Sequence, residues 1–342
     1  MVNRPTIHDL ARAANVSTAT VDRVINGRHK VRKETAQKVY EAAHEIGYHA
    51  AGLIKQRIQE KLPTVKFGFI LQKPKHYFYQ EFAKKLEEAV RTNPNVQGKC
   101  EIIWAEVISP NEFAELIEQL SRTCDVIAGV ATDCLQVSQA VANAKAKGVA
   151  VFSLLSDYAQ DVRASYFGCN NLKVGRSAAW MIANTAKQPG KVGLFVGGVR
   201  WHGHQLRETG FRSYFREHAP QFQVIESVTN LETRKLTYET TLDLLAKNSD
   251  LVGLYSAGGG VEGSIAALRE ESRNDMSVIV NEITPDTIMG LADGILTAVL
   301  ATPLDDLCYK LIDLMKNSVI DQTFEGSGQV FFPMRLHIPE SI

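Results

Sequence analysis

The sequence predicts a small all-α head followed by a larger α/β core built from doubly wound parallel sheets. Between residues 6 and 47, apolar residues recur at the three- and four-residue spacing of short amphipathic helices. From residue 65 onward, near-continuous apolar runs alternate with amphipathic runs. Repeated βα units of this kind predict parallel sheets with helices on both faces, and the number of apolar runs requires roughly two sheets.

The first predicted helix begins after Thr6, a hydroxyl N-cap that precedes the carboxylate of Asp9 by three residues. Its apolar residues lie at helical spacing, at Ile7, Leu10, Ala11 and Ala14. Asn15 tolerates the left-handed backbone of a tight turn, and Ser17 is placed to cap a second helix. The inward residues of that second helix are Val21, Val24 and Ile25. Two short helices joined in this way predict a helix-turn-helix.

A third helix is predicted from Lys33, with Gly47 at the left-handed position that ends it. In a helix-turn-helix, the second helix enters the major groove and presents its N-terminal side chains to the bases. The outward residues here are Ser17, Thr18, Ala19 and Arg23. From spacing alone, a small helical bundle with solubilising basic residues is the alternative.

The head contains four runs in a distinctive order: TIHDLA (6–11), ANVS (14–17), ATVDRVING (19–27) and EIGY (45–48). This series resembles the head of the lactose-repressor (LacI) family of bacterial transcription regulators. The resemblance implies that Thr18 and Ala19 select the operator sequence and that Arg23 contacts a base. It also implies phosphate-contacting or helix-fixing positions at Thr6, Thr20 and Asn26.

Residues 50–63 are predicted to be a short helical linker that Leu62-Pro63 closes. It is either a passive tether or, as the resemblance implies, a hinge helix that orders on DNA. Many family members place a leucine nine residues after the Gly-Tyr pair, where it wedges into the minor groove. Arg57 occupies that place here, beside Ile58. Unstacking bases requires an apolar group, which favours Ile58 as the wedge over Arg57 in a narrowed groove.

The core, residues 64–342, has predicted strands at 65–71, 100–107, 125–130, 149–155, 165–169, 191–197, 223–228, 251–256, 277–282, 295–300 and 329–337. Amphipathic stretches separate most of them, at 80–91, 110–122, 135–147, 174–185, 206–217, 234–247 and 261–271. This arrangement resembles the family's effector domain, which has the fold of periplasmic sugar-binding proteins of type I. The resemblance implies one subdomain of about 64–160 with 293–320, a second of about 161–292 with 321–342, and a ligand cleft between them.

Ligands of doubly wound folds lie beyond the carboxyl ends of the strands. Arg207 begins a run that matches the family's R-x-x-G-F motif, and Glu282 matches the position of an acid that binds hydroxyl groups. The other predicted cleft residues follow strands, at Tyr77, Phe78, Tyr79, Ser156, Asp157 and Asn170. Each residue of the set could instead cap a helix, pair at the surface or pack in the core. Ala257 and Thr302 depart from the commoner Asn and Gln, so either the cleft is less polar there or the glycine amides of 258–260 replace the missing side chains.

Charge is unevenly distributed along a chain whose 38 basic and 38 acidic residues cancel. Residues 1–61 contain 11 Lys and Arg against 6 Asp and Glu, a net charge of +5, which leaves −5 for the remainder. The amino terminus lacks the apolar core of a signal peptide, and no run reaches the roughly 20 apolar residues of a membrane span. We therefore expect a cytoplasmic protein with no membrane partner.

The sequence predicts neither a cofactor nor a bound metal. Five widely spaced cysteines are typical of reduced core thiols. His202 and His204 could bind a metal, but no acid accompanies them at ligand spacing, and we expect loop residues near the mouth of the cleft. The glycines at 258–260 lack the G-x-G-x-x-G spacing of a dinucleotide enzyme. The expected function is therefore not enzymatic: a repressor that binds a pseudo-palindromic operator as a homodimer and responds to a small sugar or polyol.

Overall fold

The computed structural model describes residues 4–26, 31–59, 62–198, 200–321 and 328–342. The chain forms two compact units. The first is Met1–Val65 with Arg91–Lys99, and the second is Lys66–Val90 with Cys100–Ile342.

The first unit contains the predicted helices α1 Ile7–Ala13, α2 Thr18–Asn26 and α3 Lys33–Glu45, followed by α4 Ala51–Gln59. The capping box predicted for α1 is confirmed, because the Thr6 hydroxyl accepts from the Asp9 N–H while the Asp9 carboxylate accepts from the Thr6 N–H at 2.9 Å. Asn15 has the left-handed φ of 52° that its turn requires. Ser17 accepts a hydrogen bond from the Thr20 N–H at 3.2 Å and so caps α2.

The core of this unit consists of small apolar residues from all four helices, among them Leu10, Val21, Val39, Ala43 and Ile54. Each of these five side chains is fully buried. Ile54 belongs to α4, so the helix predicted as a linker packs against the head through this residue.

The second unit contains two sheets, and β1 and β2 begin in the first unit. The strands are β1 Thr64–Gln72, β2 Gln97–Ala105, β3 Val126–Gly129, β4 Ala150–Leu154, β5 Ser165–Cys169, β6 Lys191–Val196, β7 Gln223–Val224, β8 Val228–Thr229, β9 Leu251–Ser256, β10 Ser277–Asn281, β11 Ala298–Ala301, β12 Gly328–Phe332 and β13 Arg335–His337. The helices are α5 Tyr77–Thr92, α6 Pro110–Thr123, α7 Leu135–Ala146, α8 Asn171–Thr185, α9 His202–His218, α10 Arg234–Lys247, α11 Val261–Glu270, α12 Pro285–Ala292 and α13 Leu304–Ile320.

The first sheet has the strand order β12-β5-β4-β3-β1-β2, and the second has the order β13-β11-β10-β9-β6-β7, with β8 also paired to β6. The pairings within the second sheet are parallel except that of β13, which runs antiparallel to β11. We call the regions built on these sheets the first and second subdomains. Helices cover both faces of the second sheet: Phe211 and Ile182 pack on one face, and Ile265 and Leu291 on the other.

The predicted subdomain boundaries need correction at three places. The strand Ser165–Cys169, predicted for the second subdomain, pairs with β4 in the first sheet. The strand Ala298–Ala301, predicted for the first subdomain, pairs with β10 in the second. The single strand predicted at 329–337 is two strands, β12 in the first sheet and β13 in the second. The sequence of an apolar strand that is buried on both faces does not indicate which sheet the strand joins. All three errors have this cause.

The chain therefore passes between the subdomains after β5, after β11 and after β12. These three crossings place the carboxyl ends of both sheets beside one another. Helices α12 and α13 were not predicted, and α13 packs on the first sheet after the second crossing. Among the described residues, no helix is long and apolar enough to cross a membrane.

Candidate functional site

A cavity of about 90 Å³ lies at the carboxyl ends of the two sheets, and we call it the inner cavity. Because about 10–15 Å³ is enough for one water molecule, this volume accommodates several water molecules or one small ring of similar size. Both subdomains contribute to its walls. The lining side chains include Gln72, Lys73, His76, Phe78, Tyr79, Ser156, Trp201, His204, Arg207, Glu232, Glu262, Asn281 and Glu282.

Arg207 is held in place by two acceptors from neighbouring elements. Its Nε donates to Oδ1 of Asn171 at 2.7 Å, and its Nη1 donates to the Ala257 carbonyl at 2.7 Å. The side chain is buried, and α9 carries it against α8 because Gly175 permits close contact: a Cβ there would overlap the Arg207 carbonyl oxygen. No hydrogen bond of Nη2 is found within the described part of the chain, so this group can donate to a ligand.

Glu282 follows β10 in a left-handed conformation with φ of 69°. Its carboxylate accepts hydrogen bonds from the Thr302 N–H at 2.9 Å and from the Thr302 hydroxyl at 2.7 Å. Burial raises the pKa of Glu282, and the nearby charge of Arg207 only partly opposes this effect. Thr302, which departs from the family's commoner Gln, therefore holds the acid in position.

A partly buried ion pair joins the subdomains across the inner cavity. Lys73 Nζ lies 2.5 Å from Oε2 of Glu232, and the two side chains are 19% and 11% exposed. The Gly259 N–H donates to the other carboxylate oxygen at 2.8 Å. Burial opposes the charge of Glu232, but Lys73 and the other donors outweigh it and hold the pKa of Glu232 at about 2.

His204 lies next to this pair, with Nε2 3.7 Å from Glu232 Oε1. Its Nδ1 accepts a hydrogen bond from the Gly197 N–H at 3.2 Å. Burial lowers the pKa of His204 to about 4, although Glu232 acts in the opposite direction. The ring is therefore neutral at pH 7. A second contact across the cavity joins His76 Nε2 to Glu262 Oε1 at 3.4 Å.

Three buried polar atoms of the inner cavity lack a partner within the described chain: Gln72 Oε1, His76 Nδ1 and Asn281 Oδ1. A buried polar atom without a hydrogen bond costs about 1–3 kcal/mol. Phe78, Tyr79 and Trp201 supply apolar surface beside these polar groups. The cavity thus combines unused hydrogen-bonding capacity with aromatic walls.

Five of the predicted cleft residues line the inner cavity: Phe78, Tyr79, Ser156, Arg207 and Glu282. The other three do not. Tyr77 is 43% exposed at the first residue of α5. Both carboxylate oxygens of Asp157 are taken by Arg163, at 2.5 and 2.7 Å. Asn170 caps α8 by accepting from the Lys173 N–H at 3.1 Å.

Sequence reasoning missed Lys73, Glu232, His76 and Glu262. Lys73 directly follows β1, so the strand-end rule could have found it. Glu232 lies 159 residues from Lys73, and no local pattern connects the two. His204 was predicted in a loop, but it belongs to the first turn of α9, for which Trp201 is the N-cap. Among the described residues, no group of three or more His, Cys, Asp or Glu side chains could hold a metal ion.

The predicted DNA-facing residues lie on one short stretch of the head. Ser17, Ala19 and Arg23 are exposed, and Thr18 and Thr20 are partly exposed. The remaining predicted contacts, Thr6, Asn26 and Arg57, are exposed as well. Ile58 lies in α4, but its side chain is outside the described part of the structure.

Two family models match the chain. Residues 67–322 match the periplasmic binding protein domain, and residues 6–50 match the bacterial regulatory proteins of the lacI family. An uncharacterized HTH-type transcriptional regulator in the aml 5' region of Streptomyces limosus is 23% identical over 96% of this chain and 92% of its own length. Catabolite control protein A of Priestia megaterium is 39% identical over 83 residues, so the match spans about a quarter (24%) of each chain.

Solved structures share the fold of the core. An ABC transporter solute-binding protein from Burkholderia graminis, in complex with D-arabinose, has a TM-score of 0.74 at 17% identity, over 81% of this chain and 96% of that one. A periplasmic solute-binding protein from Actinobacillus succinogenes, with bound D-allose, has a TM-score of 0.73 at 15% identity, over 81% and 98%. At these identities the likeness shows the fold alone. With its helix-turn-helix head and its periplasmic-binding-protein core, the chain belongs to the lacI family of bacterial regulatory proteins.

Proposed function

We propose that this protein is a sequence-specific transcription regulator, a repressor, that binds operator DNA as a homodimer and is controlled by a small polyhydroxylated effector in the inner cavity. The observation that carries the effector proposal is the set of unpartnered polar atoms of Gln72, His76 and Asn281. Each is buried, and each lines the same cavity. A ligand that supplies their hydrogen bonds removes about 1–3 kcal/mol of desolvation cost per atom.

Sugar and polyol hydroxyl groups fit this set because a hydroxyl both donates and accepts. The unpartnered oxygens of Gln72 and Asn281 require donors, whereas Nη2 of Arg207 can donate to a ligand acceptor. The faces of sugar rings are apolar, and Phe78 and Trp201 provide apolar surface in the same cavity. The bound sugars of the structural neighbours support this class of ligand.

The pairing of the carboxylates in the inner cavity supports a binding function rather than a catalytic one. Glu232 is paired with Lys73, and Glu262 with His76. Glu282 accepts both of its hydrogen bonds from Thr302. A general base must be free to take the substrate's proton, whereas Glu232 and Glu262 are already paired with Lys73 and His76. Glu282 keeps acceptor sites beyond its two bonds to Thr302, and these suit it to anchor a ligand hydroxyl group. We therefore propose neither a reaction nor a cofactor.

The DNA part of the proposal rests on charge and exposure. The head carries a net charge of +5 over residues 1–61, which favours a polyanion. Ala19 and Arg23 are exposed on α2, in the helix that enters the major groove of helix-turn-helix complexes. Two-fold symmetry of a dimer would match a pseudo-palindromic operator.

The effector proposal can be tested by thermal shift of the full-length protein against sugars, polyols and sugar phosphates. A ligand at 100 times its Kd stabilises the folded state by about 2.7 kcal/mol. Absence of stabilisation by every sugar and polyol, with a shift from another class, would refute the proposed effector class.

Variants of the two polar anchors test the location of the site. We expect Arg207→Ala and Glu282→Ala to abolish the operator response to the identified effector while operator affinity without effector stays near that of the parent, since the two sites are distinct. Arg216→Ala is the matched control, because Arg216 lies on the same helix with a side chain that is 76% exposed. Unchanged effector affinity by calorimetry in both anchor variants would place the ligand elsewhere.

A further inference from the structure

The inner cavity shares part of its wall with a second, larger pocket, which we call the outer pocket. Its volume is about 460 Å³. Lys73, Trp201 and Glu232 line both spaces. The outer pocket alone is also lined by Val107, Ile108, Thr132, Arg200 and Leu231.

The outer pocket is somewhat less polar than the inner cavity. Val107 and Leu231, one from each subdomain, are 77% and 60% exposed, although both are large apolar side chains. Ile108 and the indole of Trp201 add further apolar surface. Apart from the Lys73–Glu232 pair at the shared wall, the charged side chain in this lining is that of Arg200. A ligand group bound here would present an apolar face and few hydroxyl groups.

Thr132 provides one polar contact that the protein does not use. Its side chain is 3% exposed, and Oγ1 has no hydrogen-bond partner within the described chain. An unpaired buried hydroxyl is costly, so a native structure that retains one has a reason to do so. Since Thr132 lines the outer pocket, a ligand hydroxyl or ring oxygen there would satisfy it.

The backbone around the outer pocket is strained. Lys73, Ile108, Leu231 and Glu232 all have left-handed conformations, with φ of 53°, 57°, 48° and 53°. Such conformations cost of order 1 kcal/mol or more for residues other than glycine, and they concentrate at binding and active sites. Here they place Val107, Leu231 and the Lys73–Glu232 pair around one space.

We propose that the outer pocket is a second sugar subsite, so that the effector is a glycoside with one polyhydroxylated ring in the inner cavity and a second, less polar sugar ring in the outer pocket. This inference rests on the proposed function. The second ring packs its apolar face on Leu231 and Val107 and bonds to the hydroxyl of Thr132. The glycosidic linkage lies beside Trp201 and the Lys73–Glu232 pair, which border both spaces.

The test is calorimetry on the full-length protein with matched sugars: D-glucose against maltose and cellobiose, D-galactose against lactose and melibiose, and the phenyl glycosides of both hexoses. We expect at least one disaccharide to bind about tenfold or more tightly than its monosaccharide. Thr132→Val removes the hydroxyl at nearly constant side-chain volume. We expect it to weaken disaccharide binding by about threefold to tenfold, as for the loss of a neutral hydrogen bond. Monosaccharide binding should weaken by less than twofold. Thr123→Val is the control, because Thr123 is exposed on α6 and lines neither space.

The outcomes separate this inference from the proposed function. Two results would overturn the second subsite but leave the inner site intact. In the first, a monosaccharide binds and no disaccharide binds more tightly than it. In the second, Thr132→Val lowers the affinities for monosaccharide and disaccharide equally. Tighter binding of a phenyl glycoside than of every disaccharide, without an effect of Thr132→Val, would replace the second sugar ring by an aromatic group. If no sugar in the panel bound, the second subsite would fail, whereas the proposed effector class would stand or fall with the thermal-shift screen of sugars, polyols and sugar phosphates.

Discussion

Replacing Lys73 by methionine should destabilise the folded protein strongly, because it leaves the carboxylate of Glu232 buried without its cation. Methionine keeps much of the length of the lysine side chain and removes its charge. The Nζ of Lys73 lies 2.5 Å from Glu232, whose side chain is only 11% exposed. Among the groups that lower the pKa of Glu232, Lys73 has the largest effect.

The magnitude follows from the pKa of Glu232. The folded chain lowers it from 4.5 to about 2, a difference of about 2.5, and each pKa unit corresponds to about 1.4 kcal/mol, so the ionised form is favoured by about 3.5 kcal/mol. Because the folded pKa is depressed, this stabilisation is fully present above pH 4.5 and is lost as the pH falls toward 2. Lys73 is the largest of several groups that produce this shift, so Lys73→Met should lower the free energy of unfolding at pH 7 by roughly 3 kcal/mol, at the lower end of the range for breaking a buried pair.

Urea unfolding at pH 7, followed by tryptophan fluorescence, measures the loss. Lys75→Met is the matched control, since Lys75 lies exposed in the same segment after β1, and surface substitutions change stability by about 0.5 kcal/mol or less. The double variant Lys73→Met/Glu232→Gln should recover most of the loss, because both charges are removed. A loss no larger than that of the control, or a double variant less stable than Lys73→Met, would refute the reasoning.

Three further substitutions test other parts of the chain. Arg23→Ala should cost about 1–3 kcal/mol on the specific operator and little on random DNA, and an equal loss on both would make Arg23 a phosphate contact. Ile58→Ala should reduce operator affinity and the bend angle together, whereas Arg57→Ala should mainly reduce the salt dependence of binding; unchanged bending by Ile58→Ala would exclude the wedge. Gly175→Ala should weaken effector binding and lower the melting temperature, because the added Cβ overlaps the carbonyl of Arg207, and a fully stable variant with parental affinity would contradict that contact.

Local patterns allowed much of the fold to be predicted. Most predicted strands agree with the observed strands within three residues, since a buried parallel strand is a near-continuous apolar run. The exceptions are 223–228 and 329–337, each of which is two short strands. The cap at Thr6 and the turn at Asn15 were also predictable, because each depends on residues only a few positions apart.

Contacts between distant segments were not predictable in the same way. Arg207 and Glu282 were found through motif and strand-end position, and both line the inner cavity. Asp157 has an equally suitable position for a ligand contact after β4, but its carboxylate accepts hydrogen bonds from Arg163. Glu232 likewise lies three residues after a strand, β8, but no local pattern connects it with Lys73 in the other subdomain. The topology of the crossings determines which hydrogen-bond or ion-pair partner each polar residue has.

The segments that cross between the subdomains also hold the two polar anchors of the inner cavity, Arg207 and Glu282. Asn171, which holds Nε of Arg207, directly follows the first crossing and donates to the Leu155 carbonyl of the first subdomain at 3.0 Å. Thr302, which holds both oxygens of Glu282, lies at the second crossing. A ligand that binds Arg207 or Glu282 therefore affects the hydrogen bonds that these side chains make with Asn171 and Thr302 in the crossing segments. Since these segments join the two subdomains, an effector bound as proposed would act on the connections between the subdomains directly, without a relay through the packed cores.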